Sequence, residues 1–131
     1  MKLLIAILVV FEIVPTCGGA VRLRDEETII RRAAERNGCR GEDYRILLAI
    51  RKAENGPDGY EFGVRAVKGT NLETQAAWAA ATIMKNRKRW TKFGCPGDFI
   101  RFLQKRYCPD NEGGRTWLRN VKHFLKEGEK K

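Results

Sequence analysis

The stretch LLAIRKAENGPDGYEFGV, residues 47–64, changes character at Glu54. Before Glu54 the apolar residues recur at helical spacing, and after it glycine, proline and aspartate mark a turn. At about 100° per residue, Glu54 falls on the same side of this helix as Leu47 and Ile50, whereas Lys52 falls elsewhere. The sequence therefore predicts a carboxylate on the inner face of a helix, where that helix meets a glycine-rich loop.

Two interpretations of Glu54 follow from this placement. Burial on an apolar face raises the pKa of a carboxyl group, and a carboxyl that stays protonated near neutral pH can act as a general acid. Alternatively, Glu54 bends outward from the last turn and pairs with Arg51, Arg65 or Lys68. Periodicity alone favours this second, structural interpretation.

The rest of the sequence predicts further helices and almost no sheet. Thr70 and Glu73 fit a capping box, and Asp25 and Asp43 are candidate N-caps. Only YEFGV, residues 60–64, alternates like a strand. The fold class is thus mainly α, with at most a small β-hairpin between the second helix and the alanine-rich third. The predicted helices are about Asp25 to Arg36, Asp43 to Glu54, Thr70 to Trp90, Asp98 to Tyr107 and Thr116 to Lys126.

The N-terminus has the layout of a secretory signal peptide, which we assign to residues 1–20. Lys2 precedes an apolar segment that spans only about 18 Å as a helix, less than the roughly 30 Å of a bilayer core. An uncleaved anchor and a lipoprotein modified at Cys17 are the alternatives. We expect an exported protein, secreted or periplasmic, with one domain over residues 21–126 and a mobile charged tail over 127–131.

The net charge of +10 favours an anionic partner. Nucleic acid, a membrane surface and an acidic wall polymer all fit, but export argues against nucleic acid. The densest basic run is KNRKRWTK, residues 85–92. It could hold anionic wall polymer or phosphate, or it could be the solvated end of a helix, where cations are favoured. Charge that serves solubility alone is the simplest alternative.

Three cysteines, Cys39, Cys95 and Cys108, follow the signal segment. A helix between Cys95 and Cys108 would separate them by about 15 Å, too far for a disulfide, which needs Cα atoms within about 7 Å. Cys39 could pair with either one. The sequence has one histidine and no CxxC pair, so we predict no metal site and no cofactor.

Several motifs, taken in order, resemble the lysozyme-like superfamily of goose-type lysozymes, lytic transglycosylases and glucosaminidases. LLAIRKAENG followed by EFGV resembles the family's glutamate-ended helix and the loop after it. The alanine-rich NLETQAAWAAATIMKN and the later FIRFLQKRYCP and TWLRNVKHFL resemble the helices that come next. The likeness spans roughly residues 43–125. This chain has EFGVRAV where the family has GLMQ, and RYCP where it has YNAG.

The resemblance implies an enzyme that cleaves the amino-sugar backbone of peptidoglycan, with Glu54 protonating the glycosidic oxygen. Hydrolysis and anhydro-forming cleavage both remain open. Glu61 and Asp58 are possible second carboxylates, and lytic transglycosylases imply a mechanism with one acid alone. Glu73 is best explained by the helix cap, and Asp58 most simply by the turn.

Four residues are candidates for substrate binding: Tyr60, Phe62, Gln75 and Tyr107. The aromatic rings can stack on sugars, and Tyr107 resembles the family's late tyrosine. Core packing is the alternative for Phe62 and Tyr107, and a solvated position is the alternative for Gln75. We expect a monomer whose partner is peptidoglycan or a related amino-sugar polymer. A chitin hydrolase and a non-catalytic basic protein that binds wall, membrane or nucleic acid are the competing hypotheses.

Overall fold

The computed structural model describes residues 19–130, with side chains from Asp25 onward. Within this range the chain forms five α-helices and two short 3-10 turns, and no strand. The signal segment falls outside the described residues except for Gly19 and Ala20, which lie in the first helix. The helices are α1 (Gly19–Arg36), α2 (Glu42–Glu54), α3 (Leu72–Lys92), α4 (Phe99–Tyr107) and α5 (Gly114–Glu129), and the 3-10 turns are Arg65–Val67 and Asp110–Glu112.

α2 lies at the centre of the helical packing. It packs along α5 and also contacts α3 and α1, while α4 joins α3 to α5. Ile46, Leu47 and Ile50 of α2 are fully buried, as the apolar stripe predicts. The mainly α class is therefore confirmed. None of the described helices has the length and apolar composition needed to cross a bilayer.

α1 packs against α3, and both helices contribute buried alanines to the core. Small side chains let two helix backbones approach closely. The alanine-rich composition of α3 therefore reflects a neighbouring helix. The buried alanines are Ala33 and Ala34 in α1 and Ala76, Ala79 and Ala80 in α3.

The predicted caps of α1 and α2 are wrong. Asp25 lies inside α1, and Gly41 occupies the position before α2 with φ 57°. Asp43 instead accepts hydrogen bonds from Arg87 Nε and Nη2, at 3.0 and 2.6 Å. Asp43 lies inside the first turn of α2 rather than at the N-cap position, and its carboxylate forms a charge-assisted pair with a guanidinium of α3.

The predicted capping box of α3 is also wrong. Asn71 is the N-cap, and its Oδ1 accepts from the Thr74 N–H at 2.8 Å. The Thr70 hydroxyl is bonded to the Val67 carbonyl, so it is turned back to the preceding 3-10 turn. Glu73 accepts instead from Arg36 Nη1 at 2.6 Å, which ties the end of α1 to the start of α3.

The two C-terminal helices follow the sequence more closely. α4 begins right after Asp98, whose carboxylate accepts from the Ile100 N–H at 3.0 Å and pairs with Lys122 of α5. α5 continues to Glu129, three residues past the predicted end at Lys126, so helix extends into the segment predicted as a mobile tail.

The β-hairpin that the sequence allows between α2 and α3 does not form in residues 55–71. Gly59 and Gly63 have positive φ values of 83° and 67°, which interrupt an extended strand. The N–H groups of Phe62 and Val64 donate to the Gln75 side chain rather than to a neighbouring strand. The segment is a loop with a single 3-10 turn.

The cysteines Cys39, Cys95 and Cys108 are free thiols, so Cys39 forms neither of the two disulfides that the sequence leaves open. Cys39 is buried, and burial, with the nearby Asp43 charge second, raises the pKa of its thiol to about 12. Cys95 is exposed, in the loop between α3 and α4.

We predict that the thiols react with a charged aromatic disulfide reagent in separate phases. With Cys17 replaced by serine, Cys95 should react fastest because it is exposed, and Cys39 should react only after unfolding, since the thiolate is the nucleophile. Cys95→Ser should remove the fast phase. A Cys39 thiol that reacts in the folded protein as fast as Cys95 would contradict the buried position.

Candidate active site

Glu54 is the last residue of α2, and the chain turns back on it immediately. Asn55 adopts the left-handed conformation, φ 43° and ψ 41°, and its N–H donates to the Arg51 carbonyl. Such a residue ends a helix and redirects the chain. The Glu54 side chain is half-buried there, so the prediction that it faces inward fits the structure better than an outward ion pair.

The returning loop presses Gly63 against the Glu54 carboxyl group. A Cβ atom at Gly63 would lie 2.6 Å from Glu54 Cδ and 3.1 Å from Oε1, closer than carbon atoms tolerate. Gly63 also has φ 67°, a conformation that residues with a side chain rarely adopt. Glycine at this position therefore leaves the space in which the carboxyl group sits.

Gln75 of α3 holds this loop from the inside. Its Oε1 accepts from the N–H groups of Phe62 and Val64 at 3.3 and 3.2 Å. Its Nε2 donates to the carbonyls of Val64 and Val67 at 3.0 and 3.1 Å. The amide oxygen thus accepts two hydrogen bonds and the amide nitrogen donates two, the full number that each can form. Gln75 fixes the backbone that carries Gly63.

Tyr107 of α4 holds the same loop from the other side. Its hydroxyl donates to the Phe62 carbonyl at 2.6 Å, so the Phe62 residue is bonded through both its N–H and its C=O. The Tyr107 ring stacks on Trp117 of α5, with centroids 5.2 Å apart and planes 25° apart. Two helices thus supply an aromatic pair beside the loop.

Burial raises the pKa of Glu54 above its ordinary value, and the Trp117 indole N–H opposes this in part. Trp117 Nε1 makes no hydrogen bond of ordinary geometry within residues 19–130, so it acts on the carboxyl only weakly. The pKa of Tyr107 is raised well above its ordinary value by burial and then by the negative charge of Glu54. The site therefore favours a protonated carboxyl at Glu54.

Cys108, at the end of α4, belongs to the same surroundings. Burial and the charges of Glu54 and Glu112 raise the pKa of its thiol, with Arg65 opposing them. Arg65 Nη1 pairs with Glu112 Oε1 at 3.0 Å, which bridges the loop after Gly63 to the turn after α4. Both partners are solvent-exposed, so this pair contributes little to stability.

The two predicted second carboxylates lie in different environments. Asp58 is exposed in the turn between Pro57 and Gly59, as expected of a turn residue. Glu61 is only 3% exposed, so its side chain does not face solvent. Glu61 Oε1 has no hydrogen-bond partner in the described part of the chain.

The predicted sugar contacts are only partly compatible with the structure. Phe62 is fully buried, and the Gln75 amide is buried with all its positions occupied, so neither can bind a sugar. The solvated alternative for Gln75 is wrong for the same reason. The Tyr107 hydroxyl is used by the loop. Tyr60 stays half-exposed, with Lys68 Nζ 5.0 Å from its ring centroid.

Trp117 is the site residue that the sequence pattern does not single out. Its spacing in α5 predicts core packing, and it is indeed 6% exposed. Periodicity identifies the inner face of a helix but not which residue of another helix lies opposite. No three His, Cys, Asp or Glu side chains in residues 19–130 form a group that could hold a metal ion.

Comparisons with known proteins give no relative whose site could be set beside this one. No protein-family model matches the chain, no curated protein matches it, and no solved structure matches it. The lysozyme-like resemblance therefore continues to rest on the quoted motifs.

We predict that Gly63→Ala destabilises the protein more than Gly69→Ala. Both glycines have positive φ, so each alanine costs about 1–2 kcal/mol of backbone strain. A Cβ at Gly69 meets nothing within 4 Å, whereas one at Gly63 meets the Glu54 carboxyl. The Glu54 carboxyl is the end of a flexible side chain and can move aside, so the added cost at Gly63 should lie near the low end of the roughly 1–3 kcal/mol of overpacking. Urea unfolding measures the difference, and equal losses would contradict the contact.

We predict that Glu54→Gln stabilises the protein increasingly as pH rises. The raised pKa means that the folded protein binds the Glu54 proton more tightly than the unfolded chain does. The contribution of Glu54 to wild-type stability is therefore fully present below about pH 4.3, the ordinary glutamate pKa, and is lost as pH rises through the folded pKa. Glutamine has no proton to lose.

Thermal melts of Glu54→Gln and the wild type between pH 4 and pH 8 check this, with exposed Glu35→Gln as the control for losing one charge. The stability difference for Glu54→Gln should widen with pH beyond that of the control. A difference that is constant, or that shrinks as pH rises, would show that the folded state does not favour the protonated form of Glu54.

Proposed function

We propose that the protein cleaves the glycan strand of peptidoglycan or a related amino-sugar polymer, with Glu54 as the general acid. The observation that carries this proposal is the half-buried Glu54 carboxyl, with its raised pKa, set between Gly63 and the Tyr107–Trp117 pair. A general acid must hold a proton at working pH and release it to the leaving group. The order of motifs in the sequence supports the same conclusion.

In the proposed reaction the Glu54 carboxyl donates its proton to the glycosidic oxygen as the bond to the anomeric carbon breaks. The leaving sugar departs with a new hydroxyl group, and the anomeric carbon takes on oxocarbenium character. The Glu54 carboxylate then accepts a proton from the attacking nucleophile. Attack by water gives a reducing end, and attack by the sugar's own hydroxyl gives an anhydro end.

The surroundings of Asp58 and Glu61 support a mechanism with one carboxylate. Asp58 is exposed in a turn, and Glu61 is buried. Most glycosidases place two carboxyl groups on either side of the scissile bond. With Glu54 alone, substrate-assisted attack or direct attack by water completes the reaction.

The Tyr107–Trp117 pair and the loop between α2 and α3 would position the Glu54 carboxyl group rather than contact the sugar. Gln75 and Tyr107 fix the Phe62 backbone, and Gly63 follows it at the Glu54 carboxyl. A general acid contributes most when its proton is already aimed at the leaving oxygen. Tyr60, which is half-exposed, is the candidate for stacking on a sugar ring.

We predict that Glu54→Gln reduces glycan cleavage by at least the roughly 10²–10⁴-fold that general acid catalysis contributes. Folding should survive, because a neutral amide suits the site at least as well as a carboxylate. Asp58→Asn and Glu61→Gln are the matched controls. Mass spectrometry of the products from purified peptidoglycan distinguishes reducing from anhydro ends, and chitin is the second substrate to test.

A wild-type protein that cleaves glycan while Glu54→Gln keeps full activity would refute the assignment of Glu54. If Asp58→Asn or Glu61→Gln loses as much activity as Glu54→Gln, the reaction uses two carboxylates. If the wild type cleaves neither peptidoglycan nor chitin but binds the wall, the protein is a binding protein.

A further inference from the structure

The outward face of α3 carries one tryptophan and three lysines in a row. At about 100° per residue, the outward side of α3 lies opposite the buried Ala79 and Ile83, and it carries Trp78, Lys85, Lys88 and Lys92. The three lysines are exposed, and Trp78 is 49% exposed. We refer to these four residues as the α3 stripe.

The arginines of the same basic run are engaged within the protein. Arg87 donates to Asp43 and lies over the Phe99 ring, 3.6 Å from its centroid. Arg89 donates to Asn86 Oδ1 at 2.8 Å and lies over the Phe102 ring. Their charges therefore contribute to packing between α3 and its neighbours.

The three lysines have no such partner. In the part of the chain that the structure describes, no acidic side chain forms an ion pair with Lys85, Lys88 or Lys92. Uncompensated like charges in a row repel one another and attract an anion. A linear polyanion is the ligand whose charge distribution matches a row.

Trp78 extends this row toward the candidate active site. Ala81, one turn further along α3, is its exposed neighbour, and this small side chain leaves the indole open. From Trp78 to Lys92 the helix rises about 21 Å, at 1.5 Å per residue. Trp78 lies less than one helical turn beyond Gln75, which holds the loop against Glu54.

We propose that the α3 stripe binds a linear, phosphodiester-linked anionic polymer attached to the wall glycan. Lys85, Lys88 and Lys92 would pair with successive phosphates, and Trp78 would stack on a sugar or polyol unit. The choice of a wall polymer rests on the proposed function, because the stripe leads away from the site at which the glycan would be cut. The binding itself requires no cleavage.

A membrane surface fits the stripe less well. An interfacial helix inserts a continuous apolar face among the lipids. The apolar face of α3 is buried in the protein core, and the exposed large apolar residues are far apart: Trp78 lies in the second turn of α3, and Phe93 directly follows its last residue. A polymer lying along the row can use every residue of the stripe.

The test measures binding to intact wall sacculi that carry the phosphodiester polymer, and to the same sacculi after hydrofluoric acid has removed it. All proteins carry Glu54→Gln, so that cleavage does not interfere. The stripe variant is Lys85→Glu, Lys88→Glu and Lys92→Glu. The matched control is Lys52→Glu, Lys105→Glu and Lys126→Glu, which changes the net charge equally at exposed lysines without an ion-pair partner in residues 19–130.

The stripe variant should lose affinity for polymer-bearing sacculi by on the order of 10-fold or more, because phosphate contacts dominate such binding. The charge-matched control should lose much less, and the stripe variant and this control should bind the stripped sacculi equally. Trp78→Ala, which changes no charge, should weaken binding to the polymer-bearing sacculi as well. Thermal melts establish that each variant is folded.

Equal losses in the stripe variant and its control would overturn the proposal, since charge alone would then explain binding. The proposal would also be overturned if the stripe variant lost as much affinity for the stripped sacculi as for the polymer-bearing sacculi. Tighter binding of the parent to a single-stranded RNA oligonucleotide or to phosphatidylglycerol vesicles would assign the stripe to that partner. If wild-type protein cleaves no glycan but the stripe result holds, the proposed function fails and the polymer site stands.

Discussion

The side-chain amide of Gln75 is the contact on which the candidate site depends. It is fully buried and satisfies four backbone groups of the loop between α2 and α3. A loop has no ladder of its own, so its buried N–H and C=O groups need partners from elsewhere. Each group left without one would cost about 1–3 kcal/mol. The amide therefore lets an irregular segment pack against the core as firmly as a strand would.

The packed loop contacts Glu54 through Gly63, whose position is fixed by the residue before it. Phe62 is bonded to Gln75 through its N–H and to Tyr107 through its carbonyl, and Gly63 follows it against the carboxyl group. α3 and α4 thus fix the loop while α2 and α5 supply Glu54 and Trp117. Partial removal of Glu54 from water is the result, and it raises the pKa of the carboxyl group at a cost in stability above the ordinary glutamate pKa.

The order of the helices and the place of Glu54 on the apolar stripe of α2 could be read from the sequence, whereas the burial of its carboxyl group and the partners of polar residues could not. Apolar periodicity depends only on which face of a single helix packs against the core, so it predicted the burial of Leu47 and Ile50 correctly. Asp43 and Glu73 fit local capping rules, yet each pairs with an arginine far away in the chain. Such pairings depend on the tertiary packing, which local rules do not contain. Gln75 shows the same limit, because nothing in a first-turn glutamine predicts that a loop will close over it.

In the basic run of α3, residues 85–92, the arginines and the lysines have different surroundings in the folded protein. A planar guanidinium can bond a carboxylate and stack on a ring at once, and Arg87 does both between Asp43 and Phe99. A lysine ammonium is compact and strongly hydrated, so it gains less from such a partly buried position. The arginines therefore join α3 to its neighbours, and the lysines at helical spacing remain in solvent. α3 consequently has two functions on opposite sides: its inner side positions the loop at Glu54, and its outer side presents free positive charge along the helix.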